Sequence, residues 1–598
     1  MGISVSVNRS NSDAAITRCA PLGVVFDATA TTDATTSNPQ HDLLFYWNFG
    51  DSSAGTFTYG RPYLDPISKN IAFGPVAAHV YETPGTYTPV LGVYNGDSWG
   101  WATLNSITVT DPDAQFLGTD NIYISDSSAN VPGGATYVNS LDWDADVVPS
   151  IATGKRIWLE RGKTYVNSTA AAALSSAVSG CMVSAFGSGN KPIVSSGVVG
   201  SMLRFANATM YLTICDLKWT SSSGNRIPMS TAGGGIGMAG VTLHQNDFDT
   251  VLNTCSTSGS GATTDWLIDF IMHKCVGTVC GTTYMLLRRF GILDSSLTDS
   301  TNSEHTLRIQ LGQIGAVQGS TFSTAASGKT VFALRGVPFD GSGDATPFGA
   351  GQYTEKVVCS DLKIQMGADN LQAVEIAPRA DSEDERQRDI IMERCHLLGA
   401  TGTTTPQQML KLRTGPTGPN SFRSNILDMT AHALERHGFF VFPPDDVHGI
   451  NTSNVWILGN SYIQRPPGTA GASCRVVFLH KPATQTVTNC VVKNNLARCE
   501  DIAAVTEAIV TDQGTSNTTT PNWTDVTGTS PYTDSTPTNP ELGDFTPTGS
   551  ALTDGDATVK NYVDFFGRLR GDLAEMGAVA LTTDVFPAFA RGSLTGLG

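Results

Sequence analysis

The sequence predicts an all-β protein, a small N-terminal β-sandwich followed by a single-stranded parallel β-helix. Three observations lead there. One unit recurs ten times between residues 200 and 500, its second strands reading LTICDLKW, VTLHQNDF, FIMHKCV, FGILDSSL, GAVQGSTF, KVVCSDLKI, IIMERCHLL, SNILDMT, VWILGNSYI and VTNCVVKNNL. The anchors Asp216, Asp247, Cys275, Ser296, Thr321, Asp361, Cys395, Asp428, Asn460 and Asn495 return at roughly 20 to 40 residues, the period of a solenoid coil. The strands are short and alternate with period two: in LRIQL, Leu307, Ile309 and Leu311 face one way, Arg308 and Gln310 the other.

Gly, Ser, Thr and Asn break the units every six to eight positions, so the long amphipathic runs of a helical repeat never form. Stacked coils pair each backbone group with the coil above and below, leaving edges only at the two ends. About ten coils at roughly 4.8 Å each give a rod some 50 Å long.

Residues 1–112 precede the solenoid. Alternating runs at ISVSV, GVVFDATA, LLFYWNFGD, GTYTPVLGVYN and SITVT, separated by turn residues, read as a sandwich. The order VVFDATATTD, FYWNFGDSSAG, HVYETPGTYTPVLGVYN resembles the PKD family, with Asn48 where that family usually has Asp and Pro89 interrupting a strand, as suits an edge. The resemblance implies an immunoglobulin-like spacer or contact domain without catalysis. Trp47 is expected in its core; Trp99 and Trp101, near the turn NGDSWGW, read either as turn residues or as a contact surface.

Residues 113–200 read as a linker and lead-in. Within them GKRIWLERGKTYV and SAFGSGNKPIVSSG resemble the start of pectin-lyase-like right-handed β-helices. Residues 201–505 form the β-helix, and EHTLRIQLGQIGAVQGSTFSTAASGKTVFALRG (304–336) is similar to a coil pair in phage and bacterial proteins of that group. Residues 506–550, rich in Thr, Ser, Pro and Asn, read as an extended segment. Residues 551–598 resemble the closing peptide of secreted β-helix proteins through Asp564, Gly567, Arg568, Arg570, Gly577 and Ala578, which implies a structural cap packed back on the rod.

Composition excludes some partners. The 598 residues are 40% hydrophobic and 15% charged, with a formal net charge of −17, which disfavours nucleic acid and anionic membranes because both need a basic field. No segment approaches the eighteen apolar residues of a membrane span, and the first twenty residues carry neither an apolar stretch nor a basic leader. Absence of an export signal from a β-rich, thiol-bearing chain fits production in a cytoplasm and release by lysis, as for virion proteins. Eleven cysteines, mostly inside strands, read as buried free thiols. Cys275 and Cys280 lack the second pair or flanking His that would complete a zinc site.

Chemistry is expected along the first strand of each unit. MLRFA, YMLLRRF, TLRIQL, VFALRG, AVEIAP and MLKLRTG place Arg204, Arg288, Arg308, Arg335, Glu375, Lys411 and Arg413 outward from one sheet, a mainly basic stripe on an acidic protein. It is either a solvated face or a groove for an acidic polysaccharide whose carboxylates repeat as the arginines do. Glu304, His305 and Arg308 form the densest titratable group, with Asp361, Glu375 and Asp381 as further members; Glu304, His305, Asp361 and Glu375 are the catalytic candidates. Lyases of the resembled fold use a basic proton acceptor beside a neutralising cation or arginine, and its glycosidases use two carboxylates. No run of aspartates recurs on consecutive coils as in the calcium cages of those lyases. No metal or cofactor is therefore expected; Ca2+ is compatible with the fold but not indicated. DSEDERQRD (381–389) reads as a solvated mixed-charge loop, and His432, Glu435, Arg436 and His437 crowd one coil, as a site or as a surface turn.

Three functions share this architecture. The first is a phage tailspike or fibre protein that binds a host-surface polysaccharide and meets other virion proteins through its PKD-like domain. The second is a polysaccharide lyase or glycoside hydrolase, and the third a bacterial surface adhesin. The expected location is the virion or the extracellular space, without membrane insertion. A trimer is compatible with such rods, although no coiled-coil segment appears.

Overall fold

A computed structural model describes residues 2–10, 17–60, 67–169, 171–174, 178–198, 200–205, 209–221, 226–231, 238–252, 255–256, 267–299, 305–325, 328–336, 353–368, 370–377, 387–400, 407–413, 418–429, 436–443, 451–464, 474–481, 485–499, 510–525, 555–566, 568–571, 577–578, 580 and 583–584. From residue 121 onward the chain winds into coils of three strands. One coil runs Thr330–Arg335, Thr354–Ser360, Lys363–Gln365, and the next Gln372–Ala377, Gln387–Glu393, His396–Leu398. Each strand pairs in parallel with its counterpart one coil on, which gives the rod three faces, named first, second and third in chain order. This is the expected parallel β-helix.

Period-two alternation fills the interior. On the first face Leu307, Phe332, Val374, Leu410, Phe439 and Val477 are successive register partners and fully buried. Stacking like on like, they form an apolar column whose removal from water drives the winding.

The rod is longer than the expected 201–505. Asn121–Ser125 already pairs in parallel with Arg156–Glu160, so the lead-in is itself coiled. Val510–Asp512 and Trp523–Asp525 pair with Cys474–Leu479 and Leu496–Cys499, so part of the polar stretch 506–550 belongs to the last described coil. Low apolar content is tolerated there because turn amides do the bonding. Asn522 Nδ2 donates to Val492 O at 2.7 Å, and Asn517 Nδ2 to Val487 O at 3.2 Å.

The ten expected anchors do not share one position. The corner between second and third faces is a left-handed residue: Asp216, Gln245, Lys274, Asp294, Asp361, Arg394, Ser424 and Asn494 have φ between 46° and 63°. The next residue points inward, and there Asn425, Asn460, Asn495 and Asn522 form an amide ladder, each Nδ2 donating to the following Oδ1 at 3.0, 2.9 and 2.8 Å. Asp216 and Asp361 thus occupy the corner, whereas Cys275, Cys395, Asn460 and Asn495 occupy the inward position. Asp247, Ser296 and Thr321 begin third-face strands and Asp428 ends one.

The N-terminal residues form three small sheets, containing Leu22–Asp27 with Val76–Tyr81, Ile107–Thr110 with Gly85–Tyr87, and Leu44–Asn48 with Val90–Tyr94 and Trp99–Thr103. Their shared core holds Val24, Phe26, Leu91, Val93 and, as expected, Trp47, whose indole N–H donates to Gly74 O at 2.9 Å. Two of these strands are apolar on both faces. Val25, Val76, Ala78 and Val80 point out of the core onto Ile271, Leu293, Ala316, Val358 and Ile391 of the second face. Glycine permits the contact: a Cβ on Gly23 would lie 2.4 Å from Ile271 Cγ1, and one on Gly74, at φ +93°, 2.9 Å from Val358 Cγ1.

The C-terminal peptide continues this cover along the corner. Gly577 N donates to Asn494 O at 2.7 Å, Ala578 N to Ser461 Oγ at 2.8 Å, and Ser424 Oγ to Val563 O at 2.7 Å. Arg570 Nη2 donates to Gly577 O, and Arg568 Nε to Asp564 Oδ2 at 2.9 Å. Tyr562, Val563 and Leu569 also pack on Leu44 and Phe73, so the peptide touches rod and N-terminal domain together. Gly567 lies outside the described residues.

Candidate functional site

The first face brings four expected residues together. His305 belongs to His305–Gln318, Arg335 to Thr330–Arg335, Glu375 to Gln372–Ala377 and Lys411 to Gln407–Leu412, strands that follow one another along the rod. Glu375 and Lys411 are register partners, with Lys411 Nζ 3.1 Å from Glu375 Oε1. Arg335 Nη2 donates to Glu375 Oε2 and approaches His305 Nε2 to 3.2 Å; His305 Nε2 is 3.9 Å from Glu375 Oε2. Stacking at about 4.8 Å per coil lets side chains of different lengths converge on one carboxylate.

Burial and charge set the protonation states. Burial alone would raise the Glu375 carboxyl, but the Arg335 and Lys411 cations hold it well below the usual carboxylate range. Burial, with Arg335 and Arg308, lowers His305 from its ordinary value despite Glu375. An arginine always donates, so a ring nitrogen facing Arg335 is an acceptor, which places the His305 proton on Nδ1. The group is an ionised carboxylate, two cations and a neutral imidazole. Glu375 neutralises much of what the sequence read as a positive stripe.

Continuing the register past Lys411 leads to rings. Arg308, Ala333, Glu375, Lys411, Phe440 and Phe478 occupy one column on successive coils. Phe440 lies 4.7 Å from Phe442 and 5.4 Å from both His437 and Phe478, ring centre to ring centre, with His480 stacked at 5.8 Å. Arg413 and Lys411 lie 5.1 and 5.6 Å from the Phe442 ring, and Arg475 4.3 Å from that of Phe478. These rings were missed, although FFV and VVF stand at the same offset as the charged residues of the preceding units. Of the crowded coil, His437 joins this group, whereas His432 and Glu435 lie outside the described residues.

Other expected members are placed elsewhere. Arg288 is not on the stripe: it pairs with Ile268 and Gln313, on the second face, because Val276–Leu293 runs through the corner as one strand and shifts the count. Arg204 does lie on the first strand of its own coil, Gly200–Phe205, but pairs with Ser230 in the four-stranded sheet made by the first strands of earlier coils, away from the His305 group. Asp361 sits at the left-handed corner and binds Arg394 Nη2 at 3.0 Å, so it belongs to a structural network and not to the His305 group. That network continues through Arg394 Nη1 to Glu393 Oε1 at 2.5 Å and Arg423 Nε to Glu393 Oε2 at 2.8 Å. Glu304 and Asp381 lie outside the described residues.

The cysteines behave as small apolar groups. Cys19, Cys181, Cys215, Cys275, Cys280, Cys359, Cys395 and Cys490 are free thiols, and all of these but Cys19 are buried, Cys275 and Cys280 in the rod core. Trp99 and Trp101 stack at 5.1 Å on the edge strand Trp99–Thr103, with Trp101 44% exposed. No helix among the described residues is long and apolar enough to cross a membrane.

Comparison with known proteins adds little to this geometry. No protein-family model matches the chain, and no curated protein matches it in sequence. Among solved structures it is similar to the A-module of the Azotobacter vinelandii mannuronan C-5 epimerase AlgE6, with 9% identity, TM-score 0.42, and coverage of 64% of this chain and 97% of that one. The A-module of the mannuronan C-5 epimerase AlgE4 from the same organism follows, with 13% identity, TM-score 0.34, and coverage of 63% and 94%.

Proposed function

We propose that this protein binds a surface polysaccharide along the first face of its β-helix, in the manner of a phage tailspike or fibre. One observation carries the reading: a single register column runs from the Glu375 and Lys411 ion group into the rings of Phe440 and Phe478. Sugars present hydroxyls and an apolar ring face together, and a charged cluster beside aromatic rings complements both. A regular column also suits a polymer, because its units repeat as the coils do. The N-terminal domain, PKD-like in sequence, would act as a clamp and a contact to other virion components.

Binding of the full chain to purified capsular polysaccharides and lipopolysaccharides tests this. Saturable binding lost on combined Phe440→Ala and Phe478→Ala substitution supports it; binding that survives the double substitution refutes it.

A second reading, a polysaccharide-cleaving enzyme, rests on His305, a neutral imidazole set against an ionised carboxylate. Release of unsaturated uronates or new reducing ends from a bound polysaccharide, abolished by His305→Gln, would establish it. Binding without release would leave the binder.

A further inference from the structure

Where the N-terminal domain meets the rod, a lysine and two carboxyl groups from distant parts of the chain converge. Lys69 stands just before Ile71–Phe73 of the domain and Glu82 just after Val76–Tyr81, whereas Asp294 is a left-handed corner residue of the rod. Lys69 Nζ lies 3.5 Å from Asp294 Oδ2 and 3.4 Å from Glu82 Oε1. The Asp294 side chain is fully buried and that of Lys69 only 9% exposed. Phe57, Ala78, Val80 and Leu293, with His79 and His273, line a small cavity beside Lys69, so its surroundings are largely apolar.

The two oxygens of Asp294 are held unequally. Oδ1 accepts hydrogen bonds from two backbone amides of the domain, Thr58 N at 2.6 Å and Tyr59 N at 2.9 Å. Oδ2 is buried and accepts none among the described residues. Paired N–H groups on one oxygen form an oxyanion hole, which stabilises the charge that builds there when a nucleophile adds to the carbon. The bare oxygen, next to the lysine, is the one free to leave. Burial raises the Asp294 carboxyl above its ordinary value against the Tyr59 amide and Lys69, which favours the acid over the carboxylate. Glu82 is its opposite: burial alone would raise it, but Lys274 and Lys69 keep it ionised. Lys274 Nζ donates to both Glu82 oxygens, at 2.8 and 2.7 Å, and so fixes the carboxylate while leaving it lone pairs for Lys69.

We propose that Lys69 and Asp294 condense into an isopeptide bond that ties the N-terminal domain covalently to the rod, with Glu82 carrying a proton between the reacting groups. In the apolar seat Lys69 first passes one proton to Asp294 Oδ2, which leaves an amine beside a carboxylic acid. Nζ needs only a small turn of its flexible stem to reach Cγ, one bond from Oδ2. Its lone pair adds there, and the negative charge collects on Oδ1 under the Thr58 and Tyr59 amides. Nζ and Oδ2 then share one carbon, so the Glu82 oxygen that takes a second proton from Nζ can hand it to Oδ2. The Cγ–Oδ2 bond breaks and water leaves. Ammonium and carboxylate become amide and water, Glu82 is regenerated, and no oxidant or other reactant is consumed. The bond holds the domain on the rod even when the apolar contact opens.

Mass spectrometry of the full-length protein, folded and then denatured, tests the bond. The intact chain should be lighter than its sequence by one water, and protease digestion should yield a branched peptide joining Lys69 to Asp294. Lys69→Met and Asp294→Ala should each restore the full sequence mass. Glu82→Gln keeps both reacting groups; expressed as insoluble protein, dissolved in urea and refolded, it should regain the wild-type circular dichroism but cross-link at least about tenfold more slowly. A folded wild type at its full sequence mass overturns the proposal. So does a lost water without the branched peptide, the sign of a cyclised aspartate instead. Cross-linking of Glu82→Gln at the wild-type rate overturns the part assigned to Glu82.

Discussion

Lys411 and Glu375 are register partners on adjacent coils, and Lys411 Nζ lies 3.1 Å from Glu375 Oε1 in a group that also holds Arg335 and His305. Glu375 is the hub, since each of the others reaches it. Glu375→Ala leaves Arg335 and Lys411 without their shared counter-charge, and breaking a buried pair from one side costs about 3–5 kcal/mol. The partial exposure of both cations puts the expected loss near the lower figure. Urea unfolding of the variant measures it; a loss under 1 kcal/mol would show the group to be solvated.

Phe440 should matter for binding more than for folding. Phe440 is only partly buried on the outer side of its strand, so Phe440→Ala should lower stability by roughly 1 kcal/mol or less. Loss of a stacking partner should weaken polysaccharide binding about tenfold, a change worth about 1.4 kcal/mol. Calorimetric titration against the bound glycan separates the two effects, and unchanged affinity would remove Phe440 from the site.

Acid sensitivity is expected from the Asp361, Arg394, Glu393 and Arg423 network. Burial alone would raise the Glu393 carboxyl, yet Arg394 and Arg423 hold it at about 2, against an ordinary value of 4.5. The folded state thus favours the charged form. Its contribution is fully present above pH 4.5 and fades as the pH falls toward 2, by on the order of 3 kcal/mol in all. The stability difference between the wild type and Glu393→Gln, measured by urea unfolding, should therefore shrink across that window. A difference constant with pH would contradict the assignment.

The asparagine ladder should be a local source of stability. Asn460→Ala removes the acceptor of Asn425 N and Nδ2 and the donor to Phe422 O and Asn495 Oδ1. Leaving such groups buried and unpaired costs about 1–3 kcal/mol, more than the lost bonds themselves. Asn460→Asp keeps the acceptor but buries a charge and should cost at least as much. Denaturant midpoints rank the two.

Docking of the N-terminal domain can be tested at Val358, which packs with Val25, Val76 and Ala78 at the seam. Val358→Lys places an unpaired charge in an apolar contact, at a cost of several kcal/mol. Limited proteolysis should then cleave between domain and rod faster than in the wild type, with the rod intact. Equal rates would mean the contact contributes little.

The repeat made the rod and its first face legible. Residues at one offset in successive units must stack, so Arg308, Glu375 and Lys411 could be placed in one column from pattern alone, and Phe440 and Phe478 stood at the same offset. Trp47 was legible too, as the large apolar residue of a strand. Strand boundaries at the corners were not. Arg288 and Asp361 were misplaced because a left-handed corner residue and a strand running through a bend carry no period of their own.

The sequence by itself determined the coil, because alternation and a recurring period are local properties of a chain. Only the tertiary structure decided which outward residues meet. The apolar outer faces of Leu22–Asp27 and Val76–Tyr81 gave no sign that they covered Ile271, Val358 and Ile391. Nor could Lys69 be assigned to Asp294, since contacts between separately folded surfaces depend on shape and charge complementarity across the whole molecule, which no spacing along the chain encodes.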